Sequence, residues 1–244
     1  MKMTPTFENT LVSTQWLSDN LEAQDLRILD CTTHLRVDSD NAFRAENAYP
    51  EWEAGHIPGA MYVDLQGELS DKSSAYRFML PSAEQFGEVM GKKGVGPGTR
   101  VVLYSGTTPQ WAARIWWMLR SFGFEGAMIL DGGFPKWVSE GRPVSTEISN
   151  YPSAIFQTDA TGKVFVGKEV VVEALGAGDA VVLNALLATQ HRGIDARHYG
   201  RPGRIAGSVN VPANNLIDPE TGTYLPQSVL REQFRGSGAL EAKS

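Results

Sequence analysis

Residues 101–117 read VVLYSGTTPQWAARIWW and place a serine where a strand turns into a helix. Three apolar residues and a tyrosine make a short buried strand, small residues make the turn, and a tryptophan-rich helix starts at Pro109. Such a turn lifts one side chain to the carboxyl end of a parallel sheet, where backbone N–H groups and a helix N-terminus favour an anion. A nucleophile belongs at position 105, yet Ser105 lacks the partners a serine needs. The hydrolase turn has glycine two residues to either side, and Leu103 and Thr107 stand there instead. No His–Asp pair is indicated to activate the hydroxyl. The phosphatase turn has cysteine, five residues and arginine; Ser105 is followed by Arg114, nine positions on.

Other reactive residues are few. Cys31 is the one cysteine, so no internal disulfide and no cysteine-rich zinc site can form. It follows an apolar run and reads as a small buried hydrophobe. His56 lies in GHIPGA, and the matching position of a later copy of that box is Arg204, so a turn-stabilising role fits better than acid–base work. His34, His191 and His198 show no metal-ligand spacing. Four arginines (Arg192, Arg197, Arg201 and Arg204) fall within QHRGIDARHYGRPGR and could bind an anion or decorate a solvated loop. Trp111, Trp116 and Trp117 share one helix with Ile115 and Leu119 and read as packing residues. DPETG at Asp218–Gly222 reads as a turn.

The 244 residues are 42% hydrophobic, enough for a real core in one or two domains. Net charge is −6 with no basic block, which argues against nucleic acid as a partner. The start, MKMTPTFENT, has no apolar core of a secretory signal, and no apolar run approaches a membrane span. These features predict a soluble, reduced, cytoplasmic α/β protein.

The elements that must position Ser105 are written twice. GHIPGAMYVDL from Gly55 returns as GRIAGSVNVPANNL from Gly203, an offset of 148. The preceding strands, LRILDC from Leu26 and AVVLNA from Ala180, match with Leu29 against Leu183, an offset of 154. Leu-Pro then opens a helix in each copy, at Leu80 and Leu225, an offset of 145. Ser82 and Gln85 form a capping-box pattern in the first. The first copy also predicts a helix from Ser13, strands at Leu26–Asp30, Arg100–Tyr104 and Ala127–Leu130, and helices over Ser82–Lys93, Pro109–Phe122 and from Gly132 to Gly141. Short continuous apolar strands alternating with helices predict a parallel sheet covered on both faces. Between the copies, GRPVSTEISNYPSAIFQTDATGK is polar and aperiodic. The division expected is a first domain over 1–144, a linker over 145–163 and a second domain over 164–244.

Carried forward, GVGPGTR from Gly94 falls against GALEAKS from Gly238, an offset of 144 that takes position 105 to 249, past Ser244. The second domain is therefore expected to be incomplete, lacking the strand and turn equivalent to those around Ser105.

In these residues the chain resembles the tandem-domain rhodanese family, the thiosulfate and 3-mercaptopyruvate sulfurtransferases. The match is carried by LRILDC, GHIPGA, VVLYSG, WAARIWWMLRSFGF and LDGGFPKW in the first copy, and by YGRPGRIAGSVNVP and DPETG in the second. The resemblance implies two rhodanese-like α/β domains, the first catalytically silent and the second carrying a cysteine that holds sulfane sulfur as a persulfide. Ser105 is then the silent counterpart, no residue of this chain is catalytic, and the nucleophilic cysteine is expected beyond Ser244. The partners implied are a small anionic sulfur donor and a thiophilic acceptor such as cyanide or a thiol, with no cofactor and no metal. Family members often have a donor-gripping arginine shortly after the first strand of the second domain. That place falls near Gln190, which makes Arg192 and Arg201 the candidate substrate-binding residues, and the aspartate usual at the end of that strand is Asn184. A complete, non-catalytic binding or scaffold protein of the same ancestry is the alternative. Choice of donor, oligomeric state and pathway have no signature in these residues.

Overall fold

Leu26–Asp30 (β2) and Arg100–Tyr104 (β6) are apolar on both faces, which suits strands covered from both sides. In a computed structural model of the chain, covering residues 10–159, 165–177 and 180–240, they pair in parallel at the centre of a five-stranded sheet. The sheet order is β1-β7-β6-β2-β5, where β1 is Leu11–Val12, β5 is Ala60–Tyr62 and β7 is Ala127–Leu130, and every pairing is parallel. The chain forms two compact units, one of Met1–His34 with Glu46–Val164 and one of Leu35–Ala45 with Phe165–Ser244.

In the first unit, Ile28, Val102, Tyr104 and Leu130 pack with Leu17 of α1 (Thr14–Asp19) and Trp137 of α5 (Gly133–Ser139). The alternate residues Leu29, Val101 and Leu103 are equally buried, so both faces are covered. Helix α4 (Pro109–Ser121) packs on β6 and β7. Its tryptophans divide: Trp116 is buried and donates from Nε1 to the Ala127 carbonyl at 2.9 Å, while Trp117 is exposed. Helix α3 (Ala83–Lys92) starts where the sequence predicts, with the Ser82 hydroxyl accepting from the Gln85 N–H. A hairpin of β3 (Thr33–Val37) and β4 (Phe43–Asn47), then α2 (Tyr49–Ala54), precede β5.

The segment read as a linker, 145–163, is described as far as Asp159, and over that span it is bound to the first unit. Ser145 exchanges two backbone hydrogen bonds with His56, both 2.9 Å. The Tyr151 hydroxyl donates to the Gly59 carbonyl, the Ala154 N–H to the Gly91 carbonyl, and the Asp159 N–H to the Phe122 carbonyl. Phe156 is buried, edge-on to Phe86 at 5.5 Å. Polar composition and lack of period concealed this, because an extended strap needs only isolated anchors. Residues 160–163 of that segment lie outside the described residues.

The second unit holds α6 (Lys168–Ala177), β8 (Leu183–Asn184), α7 (Ala188–His191), β9 (Val209–Asn210), a 3-10 turn over Ala213–Leu216 and α8 (Gln227–Phe234). Strands β8 and β9 pair in parallel, and no further strand joins them among the described residues.

Candidate functional site

Ser105 sits at the carboxyl end of β6, beside the carboxyl end of β2, where Tyr104 is the register partner of Asp30. The turn is internally satisfied. The Thr107 N–H donates to the Ser105 Oγ at 3.1 Å, and the Gly106 N–H donates to the Thr32 Oγ1 at 2.8 Å. Thr32 in turn donates from both its N–H and its hydroxyl to Asp30 Oδ1. Two N–H groups that an anion would need are thus occupied by hydroxyls. Asp30 is buried, and burial pushes its carboxyl up, against the hydrogen bonds from Thr32 and Tyr104. Thr32 escaped the sequence reading; its only signal is a threonine two residues beyond a strand-end aspartate.

Cys31 is fully buried, with Sγ against the Leu29 carbonyl at 3.5 Å. Burial pushes its thiol up, and the neighbouring Asp30 charge pushes it further, the reverse of what a thiolate nucleophile requires. His56 is also buried, stacked on Trp52, with Nδ1 at 2.7 Å from the Trp52 carbonyl and Nε2 at 3.1 Å from the Glu147 carbonyl. It ties the turn to the strap, a structural role. Among the described residues no cluster of His, Cys, Asp and Glu could hold a metal ion. No described helix is long and apolar enough to cross a membrane.

The four arginines of the second unit separate. Arg197 forks onto Asp195 (Nε to Oδ1 at 3.0 Å, Nη2 to Oδ2 at 2.8 Å), which holds the Asp195 carboxyl well below its ordinary range. Arg204 donates to the His191 carbonyl. Arg192 and Arg201 are exposed and make no side-chain hydrogen bond or ion pair among the described residues. They are therefore the two whose guanidinium groups are available to an anion. Both lie on the segment from α7 to β9, which contains four left-handed glycines, Gly193, Gly200, Gly203 and Gly207.

The internal repeat holds pair for pair. In the first unit Leu29 faces Met61 and Asp30 faces Tyr62; in the second, Leu183 faces Val209 and Asn184 faces Asn210. These are the residues that the two sequence offsets equate. The turns before β5 and β9 match as well. Ala60 N–H donates to the Ile57 carbonyl and Ser208 N–H to the Ile205 carbonyl, each turn with a left-handed glycine, Gly59 or Gly207. Strand β8 is thus the counterpart of β2, and its edge away from β9, which carries no strand among the described residues, is the one that β6 occupies in the first unit.

Comparison with known proteins gives the lineage. The family model described as Rhodanese-like domain matches residues 13–140. The chain belongs to the rhodanese family. This rhodanese chain is 33% identical over 231 residues to a protein of Gallus gallus named thiosulfate sulfurtransferase, covering 92% of this chain and 77% of the relative. It is 34% identical over 235 residues to 3-mercaptopyruvate sulfurtransferase of Rattus norvegicus, covering 93% and 77%. The crystal structure of SseA from Escherichia coli, described as a 3-mercaptopyruvate sulfotransferase with the rhodanese fold, superposes with a TM-score of 0.82 at 28% identity, covering 95% of this chain and 84% of that one. Ser105 lies within the matched span, in the turn between β6 and α4.

Proposed function

We propose that the chain is the front portion of a sulfurtransferase that moves sulfane sulfur from thiosulfate or 3-mercaptopyruvate to a thiophilic acceptor, cyanide or a thiol. The working cysteine lies outside residues 1–244, on a strand–turn–helix that occupies the free edge of β8. The observation that carries this reading is the pairwise register of β8 and β9 on β2 and β5. A second observation agrees: Leu29 is 0% exposed in the first unit, whereas its counterpart Leu183 is 38% exposed, and Val181 and Val209 are similarly open. An apolar strand left at an edge wants a neighbour.

The chemistry follows from the turn. A thiolate attacks the outer sulfur of thiosulfate; the S–S bond breaks, sulfite leaves with the electron pair, and the enzyme holds a persulfide. Cyanide then attacks the terminal sulfur, thiocyanate leaves, and the thiolate returns. Charge balances in both steps, and no external oxidant or reductant is required. A serine hydroxyl is far less acidic and forms no comparable persulfide, so Ser105 serves as scaffold. The donor is anionic, and Arg192 and Arg201 supply the positive charge that grips it.

The test is thiocyanate formation from thiosulfate and cyanide. The 244-residue chain is expected to give no turnover, and the chain extended through its continuing reading frame is expected to turn over. Turnover by the 244-residue chain that is lost in Cys31→Ser would place the nucleophile at Cys31 and sink the reading.

A further inference from the structure

The hairpin tip at 35–45 lies in the sequence of the first repeat but belongs structurally to the second unit. There it meets the arginine loop at mid-span. Phe43 N–H donates to the His198 carbonyl at 3.2 Å, and His198 N–H donates to the Asn41 carbonyl at 3.1 Å. Ala42 and His198 form a parallel bridge. The buried Phe43 ring stacks on Tyr199, centroids 4.6 Å apart and planes inclined at 29°. The tip is itself shaped for this contact: Asp38 N–H donates to the Ala42 carbonyl, Asn41 N–H to the Asp38 carbonyl, and Asn41 takes a left-handed φ of 64°.

We propose that this hairpin tip is a clamp that positions Arg201 for the anionic donor, with Phe43 and Tyr199 as positioning residues; the proposal rests on the reading that Arg192 and Arg201 grip that donor. The loop needs such a device. Its left-handed glycines, Gly193, Gly200, Gly203 and Gly207, give it more conformational freedom than any other residue type would, and ordering it on binding would weaken affinity. The bridge at His198 and the stack at Tyr199 fix the backbone two residues before Arg201. The loop is then already placed when the anion arrives. Gly200 N–H, donating to His198 Nδ1 at 3.1 Å, carries the constraint one residue nearer. On either side of this segment, Arg197 forks onto Asp195 and Arg204 donates to the His191 carbonyl.

The experiment titrates the isotopically labelled 244-residue chain with thiosulfate and follows the side-chain Nε–H signals of Arg192 and Arg201, with amide hydrogen exchange across 196–203 as a second readout. Phe43→Ala is expected to weaken thiosulfate binding by about two- to tenfold, the span of an aromatic stack removed from the binding-competent state. It is also expected to speed exchange at His198. Tyr199→Ala breaks the same stack from its exposed side, where the ring is 55% exposed and leaves no core cavity, and is expected to match it. Phe43→Tyr keeps the stack and restores affinity. Faster exchange with unchanged thiosulfate affinity in both alanine variants overturns the clamp while leaving the arginine assignment standing. Absence of any Arg192 or Arg201 response in the parent chain overturns that assignment, and the clamp with it.

Discussion

Alanine at either of two glycines on α3 decides whether residues 145–159 are a bound strap or a loose connector. Gly87 and Gly91 lie four residues apart on one helix, facing the strap. By helix propensity alone each Gly→Ala change stabilises by about 1 kcal/mol. At Gly91 a Cβ would stand 2.5 Å from the Ala154 carbonyl oxygen, a backbone atom, and the Ala154 N–H already donates to the Gly91 carbonyl at 2.9 Å. The strap must shift, and Phe156 is seated only two residues on. Overpacking of this kind costs about 1–3 kcal/mol, so Gly91→Ala is expected to destabilise by about 1 kcal/mol net. At Gly87 the nearest atom is the Thr158 methyl at 3.3 Å, on an exposed side chain that can turn away. Gly87→Ala is therefore expected to stabilise by about 0.5–1 kcal/mol. In a thermal melt the order should be Gly87→Ala above parent above Gly91→Ala, each step roughly 2–4 °C. Equal stabilisation by the two substitutions would refute the bound strap.

Two pH predictions concern the first unit. Glu140 accepts from Lys136 Nζ, Thr14 Oγ1 and Arg142 Nε, in that order of influence after Lys136, and these partners bring its carboxyl down to about 2. A lowered folded value means stability that is complete above the unfolded value, about 4.3, and lost as pH falls toward 2. With its partial exposure allowed for, Glu140→Gln should lower stability by about 1 kcal/mol at pH 7 and hardly at all at pH 2, read from urea midpoints. Asp30 has the opposite sign: burial raises its folded value, so its contribution is complete below about 3.9 and declines as pH rises through the folded value. Asp30→Asn should therefore compare better with the parent at pH 7 than at pH 3, and a difference independent of pH would count against a buried carboxylate there.

Much of the fold was legible because its signals are local. Apolar runs at Leu26–Asp30 and Arg100–Tyr104, the Ser82 cap and the doubled glycine box each announce an element within a few residues, and the structure has each in place. What escaped depends on contacts distant in sequence. Thr32 fills the Ser105 turn from 74 positions away, and Phe43 meets Tyr199 across most of the chain. The strap escaped for the same reason: Tyr151 and Phe156 are single anchors in a polar stretch, and only the glycines they lie against reveal why the backbone can approach. The tryptophans of α4 read alike as packing residues, yet Trp116 is buried and the adjacent Trp117 exposed, because successive helical residues turn by about 100°.

The two copies of the strand-end turn show how one backbone is kept while its charge is changed. Asp30 Oδ1 accepts from the Thr32 N–H at 2.8 Å, and Asn184 Oδ1 accepts from the Leu186 N–H at 3.0 Å. On the neighbouring strand the Tyr62 hydroxyl donates to the Thr32 carbonyl, and the Asn210 amide donates to the Leu186 carbonyl. The same carbonyl is held in both, by different chemistry. In the first copy the Thr32 hydroxyl also accepts from the Gly106 N–H of the next turn. Leu186 has no hydroxyl to offer. The second copy therefore keeps the strand-end turn but has an amide in place of the buried carboxyl and no hydroxyl in place of that of Thr32.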